Sequence, residues 1–238
     1  MKNFRIRYLL LPALLALLLS GCGLPVFILL NMPESGAPAA AGKFYFVADA
    51  DNSEPEFRGF ELYYRIYPSG AETDIDLKSL DELLAKGFRR VSLISERKND
   101  LDKPLIYIEQ GDRGSSYNVS VDFSGLSDVT VPLVENPDPG EPTAAASLDP
   151  PGILTIRRAV FYSEAGSTDV FKRFNEIAEN DDDITSQIWD DLTISSLPVP
   201  LVLYALSFGR AADSTEVYSV PLWIGELDIS FPTLEVLP

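Results

Sequence analysis

The sequence predicts a mainly β protein: an antiparallel sandwich with short inserted helices and one long proline-rich loop. Three observations predict it. Across Phe57–Pro68 (FRGFELYYRIYP), Phe60, Leu62, Tyr64 and Ile66 fall on one face of an extended strand. Glu61, Tyr63, Arg65 and Tyr67 fall on the other, before the turn Pro68-Ser69-Gly70. Near the carboxyl end, Leu201–Gly209 (LVLYALSFG), a polar turn and Glu216–Gly225 (EVYSVPLWIG) read as a hairpin. Between them, short alternating or apolar runs are separated by turn-forming segments. With 46% hydrophobic and 23% charged residues, the composition is that of a folded chain.

Taken in order, the chain opens with Met1–Tyr8, which carries Lys2, Arg5 and Arg7 and no acid. The apolar run Leu9–Leu19 and then Leu19-Ser20-Gly21-Cys22 follow. A basic segment, an apolar segment and a small-residue cleavage site make a secretory signal over 1–21. The alternative is an uncleaved membrane anchor, since Leu9–Leu30 holds 22 uncharged, mostly apolar residues interrupted by Pro12 and Pro25. Leu24–Leu30 (LPVFILL) is expected as a first strand, Pro33–Gly42 as a turn or linker, and Lys43–Asp49 as a strand with Phe44, Phe46 and Ala48 inward. Asp49–Pro55 is a turn-rich loop. Asp76–Gly87 reads as a short helix with Asp76 as N-cap, Leu77, Leu80, Leu83 and Leu84 on one face, and Gly87 ending it.

Val91–Ile94 and Leu105–Ile108 are expected strands, with an exposed loop at Glu96–Lys103. Tyr117–Phe123 alternates with Tyr117, Val119, Val121 and Phe123 inward, and Val129–Val134 reads as an edge strand carrying Pro132. The segment 136–152 holds five prolines and no apolar period, so it is a loop or linker. A split into two domains near 140 is the alternative to a single elaborated domain over 22–238. Ile153–Phe161 is a strand with Leu154, Ile156 and Val160 on one face. Its Arg157-Arg158 pair is assigned to surface ion pairs. Thr168–Ala178 is expected to be helical, grouping Val170, Phe171, Phe174 and Ile177. Glu179–Asp183 is an acidic loop, and Ile184–Leu192 holds another helical turn.

The Leu19-Ser20-Gly21-Cys22 motif resembles the lipobox of bacterial lipoproteins. That resemblance implies cleavage before Cys22 and acylation of its sulfur, giving an anchor in the cell envelope. By resemblance to diderm lipoproteins, Gly23 in place of Asp implies the outer membrane. Cys22 is the only cysteine, so once acylated it leaves no thiol for disulfides or thiolate chemistry. Phe44–Asp49 followed by Gly59-Phe60-Glu61-Leu62-Tyr63-Tyr64-Arg65 resembles the second and third strands of fibronectin type III and related immunoglobulin-like sandwiches. The 201–225 hairpin, with Ser219-Val220-Pro221, resembles that family's last pair. An ordinary module of this kind has about 100 residues, whereas 217 follow the leader, so sizeable insertions are implied. The same segments together with the lipobox look like those of uncharacterised spirochaete lipoproteins.

The function classes narrow next. The formal charge is −17, from 19 Lys plus Arg against 36 Asp plus Glu, and loss of the three leader cations makes it −20. Such a surface repels nucleic acid and anionic headgroups. There is no histidine, which excludes the Ser-His-Asp triad and imidazole metal ligation. No phosphate-binding glycine loop occurs, and no cofactor is expected. Asp49 and Asp51 space oxygen ligands as a calcium loop does, but Glu54 stands where such a loop needs glycine. Tyr45, Tyr63 and Tyr67 are expected to share the outer face of the second and third strands. There they would stack on sugar rings or anchor a protein, unless inserted segments cover them. The leading expectation is a non-catalytic, lipid-anchored, protein-binding or structural module. A carbohydrate-binding lipoprotein and a carboxylate-only hydrolase are the alternatives.

Overall fold

The computed structural model describes residues 29–36, 42–49, 51–52, 56–93, 104–108, 117–123, 126, 129–131, 133–135, 154–161, 169–230 and 235–236. The leader, Cys22, the loop at 96–103 and the proline-rich segment 136–152 lie outside these residues. The protein is mainly β, with antiparallel sheets arranged as a sandwich.

In chain order, β1 (Glu34–Ser35) and β2 (Lys43–Val47) lie in a first sheet and β3 (Phe57–Ile66) in a second. Helix α1 (Leu80–Ala85) follows. Strand β4 (Arg89–Arg90) then joins the second sheet and β5 (Ser92–Leu93) the first. β6 (Ile106–Tyr107) returns to the second. The first sheet is completed by β7 (Tyr117–Asp122), β8 (Val129–Val131), β9 (Leu133–Glu135), β10 (Leu154–Phe161) and β11 (Asp169–Lys172). After β12 (Glu176–Ile177) and helix α2 (Ser186–Thr193), β13 (Val199–Arg210), β14 (Glu216–Tyr218) and β15 (Leu222–Ile229) complete the second sheet. β16 (Glu235–Val236) pairs in parallel with β12.

β3 is central, as its alternation requires. It pairs with β13 from Ile66↔Leu201 to Phe57↔Gly209, and with β4 and β6 on its other edge. Phe60, Leu62, Tyr64 and Ile66 join Leu201, Leu203 and Ala205 in the core, against Phe44, Phe46, Val119, Val121 and Ile156 of the first sheet. Edge-to-face rings link the layers: Phe46 to Phe60 at 5.2 Å and Tyr64 to Phe174 at 5.4 Å. The chain changes sheets within three residues at Val91, whose N–H bonds Leu62 O on one side before Ser92 and Leu93 pair with β10 on the other. On the opposite side the sheets touch at Gly225, where an added Cβ would lie 2.2 Å from the Phe44 ring. Gly59, at φ +139, lets β3 approach β6: a Cβ there would sit 1.9 Å from the Ile106 carbonyl oxygen.

Several expectations are corrected. Residues 169–177 are two strands, not a helix, because Val170 and Phe171 extend opposite Val160 and Ala159 and complete a sheet edge. Helix α1 is shorter than expected and begins after Ser79, whose Oγ accepts the Glu82 N–H. Glu34–Ser35, expected as linker, pairs with β2. Leu29 and Leu30 are not in a strand. β8 sits between β7 and β10 rather than at an edge. Alternation carries Arg158, with Ile156 and Val160, to the core face of β10. It is fully buried, not a surface ion pair, and Arg157 is buried as well.

The acidic loop at 179–183 answers that burial. Arg158 Nη1 donates to both Asp183 oxygens at 2.7 Å and Nη2 donates to Asp181 Oδ2 at 2.9 Å, while the Glu176 carbonyl oxygen accepts from Nη2. Lys172, directly opposite Arg158 in the register, donates to Asp181 Oδ1. Tyr64 Oη, from the second sheet, donates to Asp183 Oδ2 at 2.6 Å. Burial alone works against the Arg158 charge; Asp183, Tyr64 and Asp181 reverse that and hold its pKa above the ordinary value. Removing one partner leaves the others charged and desolvated. Arg158→Met is therefore expected to cost about 3–5 kcal/mol in urea unfolding. Lys43→Ala, which removes the half-exposed pair with Asp122, is expected to leave the midpoint unchanged.

Candidate functional site

The outer face of the second sheet is not open. The segment between β3 and β4 folds back over it as a third layer, because Val202, Tyr204 and Leu206 of β13 are apolar on that face too. Leu77, Leu83 and Phe88 pack on Tyr63, Tyr67, Val202, Tyr204 and Leu206. Tyr204 Oη donates to Asp74 O at 3.0 Å and ties the segment down. Tyr63 and Tyr67 are 4% and 3% exposed, so neither ring is available for stacking. Burial pushes both phenols up to about 12. Tyr45 does not join them: it lies on β2 in the first sheet, paired with Ser120, and is half-buried. The expected shared tyrosine face is thus divided between two sheets and covered where it was richest.

What the covering segment leaves is a polar cleft of about 490 Å³ at its edge, lined by Arg65, Tyr67, Pro68, Ala71, Glu72, Thr73, Asp74, Ala85 and Lys86. Its centre is Asp74. Oδ1 pairs with Lys86 Nζ at 2.8 Å; Oδ2 accepts Tyr67 Oη at 2.9 Å and Arg65 Nη1 at 3.2 Å. Lys86, with help from Tyr67 and Arg65, holds the Asp74 carboxyl below its ordinary value. The Arg65 guanidinium lies 4.2 Å from the Tyr67 ring centroid, which fixes its plane. The local fold dictates this arrangement. Arg65 and Tyr67 share one face of the β3 line, and Lys86 is delivered by the end of α1, just before Gly87 at φ +83. Thr73 Oγ1 donates to Glu226 Oε2 at 2.8 Å and fastens the rim to β15.

A second charged group lies on the same sheet face. Glu61 is 1% exposed and accepts Arg90 Nε and Nη2 at 2.5 Å each. Burial raises its pKa from 4.5 to about 7, with Arg90 opposing. It is sealed from solvent, so it stands apart from the cleft. Asp49 Oδ1 accepts the Asp51 N–H at 2.7 Å, a local turn contact. Among the described residues no group of three or more Asp, Glu, Cys or His side chains is placed to hold a metal ion. Cys22 lies outside the described residues. Among those described, no helix is long and apolar enough to cross a membrane.

Arg65, Asp74 and Lys86 are not among the site residues expected from the sequence. Only Arg65 carried a signal there, as a cation on an otherwise aromatic strand face. Asp74 and Lys86 are twelve residues apart and meet only because the segment folds back. No family model matches the chain, and no curated protein or solved structure matches it.

Glu61 yields a pH prediction. Its folded pKa lies above its unfolded one, so the folded state keeps the proton longer. The Glu61 contribution to stability is complete below pH 4.5 and is lost as pH rises through about 7. Urea midpoints measured across that window are expected to fall less with pH in Glu61→Gln than in the parent protein.

Proposed function

We propose that the protein is a non-catalytic, lipid-anchored module of a bacterial cell envelope, held at the outer membrane through Cys22 and serving a protein-binding or structural role. The observation that carries this reading is Leu19-Ser20-Gly21-Cys22 behind a basic and then apolar leader. Two or three acyl chains, at about 0.8 kcal/mol per buried methylene, make such an anchor durable. A fibronectin type III or immunoglobulin-like sandwich is the proposed scaffold. Support comes from the strand partners: β3, β13 and β15 are neighbours in one sheet and β2 pairs with β7 in the other. This is the division that family makes between its C, F and G strands and its B and E strands. The resemblance to uncharacterised spirochaete lipoproteins belongs to the same proposal.

A second reading, glycan capture, is favoured by the cleft at Asp74, where donors, a carboxylate rim and short apolar walls converge in a volume suited to a small ligand. It moves the binding surface from the tyrosine rings to Arg65, Asp74 and Lys86.

Metabolic labelling with radioactive palmitate tests the first reading. The parent chain is expected to take up label and to sediment with outer-membrane vesicles, and Cys22→Ala to do neither. An unlabelled parent chain would refute the anchor. On a glycan array, any binding is expected to be lost in Asp74→Asn and kept in Tyr45→Ala.

A further inference from the structure

We propose that the cleft at Asp74 binds a carboxylate-bearing sugar, with Arg65 and Lys86 taking the carboxylate. The proposal rests on the glycan reading and names the ligand class for it. The argument starts from unused hydrogen-bonding capacity. Among the described residues, Arg65 donates only through Nη1, to Tyr67 Oη at 3.3 Å and to Asp74 Oδ2. It lines the cleft and its side chain is one-third exposed, so the other N–H groups of the fork meet water or ligand. Lys86 Nζ has three donors and directs one at Asp74 Oδ1; its side chain is half exposed.

Asp74, by contrast, is largely occupied. Both its oxygens already accept from groups of the protein, Oδ2 twice and Oδ1 once, so it has little acceptor capacity left for a ligand. What Asp74 does is hold two cations against one carboxylate, where they would otherwise repel each other. Arg65 and Lys86 face Asp74 and Glu72 in the lining, so the cleft is neutral and keeps surplus donors in a chain whose formal charge is −17. The donors of a guanidinium fork and an adjacent ammonium match the two oxygens of a planar carboxylate. A divalent cation would be opposed by the two cations already held on Asp74.

The rim supplies what a sugar needs beyond its acid group. Glu72 offers a carboxylate for hydroxyl donors, and Pro68, Ala71 and Ala85 give short apolar walls for a C–H face. Thr73 is held by Glu226, so the rim is anchored to the sheet. The volume lies in the lower half of the range for small-molecule sites, about 300–1,000 Å³. A single acidic sugar unit or a chain end is the size of occupant this favours.

Titration calorimetry on the detergent-solubilised full-length protein tests this, with glucuronate, glucose and acetate as probes. Glucuronate is expected to bind at least tenfold more tightly than either of the others, and more weakly as sodium chloride is raised. Lys86→Gln is expected to lose at least tenfold and Lys86→Arg to keep most of the affinity, with thermal midpoints confirming that both fold. Glucose binding as well as glucuronate would overturn the carboxylate assignment while leaving glycan capture standing. Acetate binding as well as glucuronate would overturn the sugar. Absence of binding by all three would overturn the proposal and the glycan reading together, without touching palmitate labelling. Backbone resonances of the parent protein give an independent location. Glucuronate is expected to shift Arg65, Tyr67 and Lys86, and shifts confined elsewhere would remove the site.

Discussion

The structure depends on the neutralisation of Arg158. This side chain sits in the core between Ile156 and Val160, where an unpaired guanidinium would carry a desolvation cost of several kcal/mol. The groups that answer it come from several places in the chain. Asp181 and Asp183 come from the turn after β12, a carbonyl oxygen from Glu176, and Tyr64 from the opposite sheet. Lys172 faces Arg158 across the strand pair and shares Asp181, so two cations and two carboxylates balance. The acidic turn is held where it is because the charge beneath it must be met. Its position in turn sets the entry to α2 and then β13.

Tyr64 makes the network a link between layers. Its ring packs on Phe174 while its hydroxyl donates to Asp183, and burial with the adjacent carboxylate raises its pKa well above the ordinary value. The same residue therefore serves the apolar core and the polar network. Such a buried network stabilises the protein less than an apolar core of equal volume would, yet breaking it at one point is costly. It specifies which strands meet, since only this register of β10 against β11 brings Lys172 opposite Arg158.

The covering segment between β3 and β4 follows a different logic. β13 is apolar on both faces, so its outer face needed a cover, and Leu77, Leu83 and Phe88 provide it. The cover is amphipathic: Leu83 is fully buried while Leu84 beside it is half exposed. Where the cover ends, Tyr67 contributes its ring to the packing and its hydroxyl to Asp74. The cleft is what remains at the margin of that layer.

Much of the strand framework was legible. The period of two in Phe57–Ile66, the hairpin of Leu201–Gly209 with Glu216–Gly225 and the inward set Val119, Val121 and Phe123 rest on local sequence, and the pleat enforces them. The terminal lipobox resemblance is likewise a reading of sequence alone. Local pattern misled at 169–177, where the spacing of Val170, Phe171, Phe174 and Ile177 suits a helix as well as two short strands. Pairing with β10 decided between them. It also misplaced Arg158, although the alternation that put Ile156 and Val160 inward put Arg158 there too. The fate of Tyr63 and Tyr67 depended on whether the segment that follows β3 would fold back over them, which strand alternation does not record. The same holds for the meeting of Arg65, Asp74 and Lys86. Sequence determines which face of a strand each side chain occupies, because the backbone sets that period locally. Only the tertiary structure decides what lies against that face, because the contacts come from residues distant along the chain.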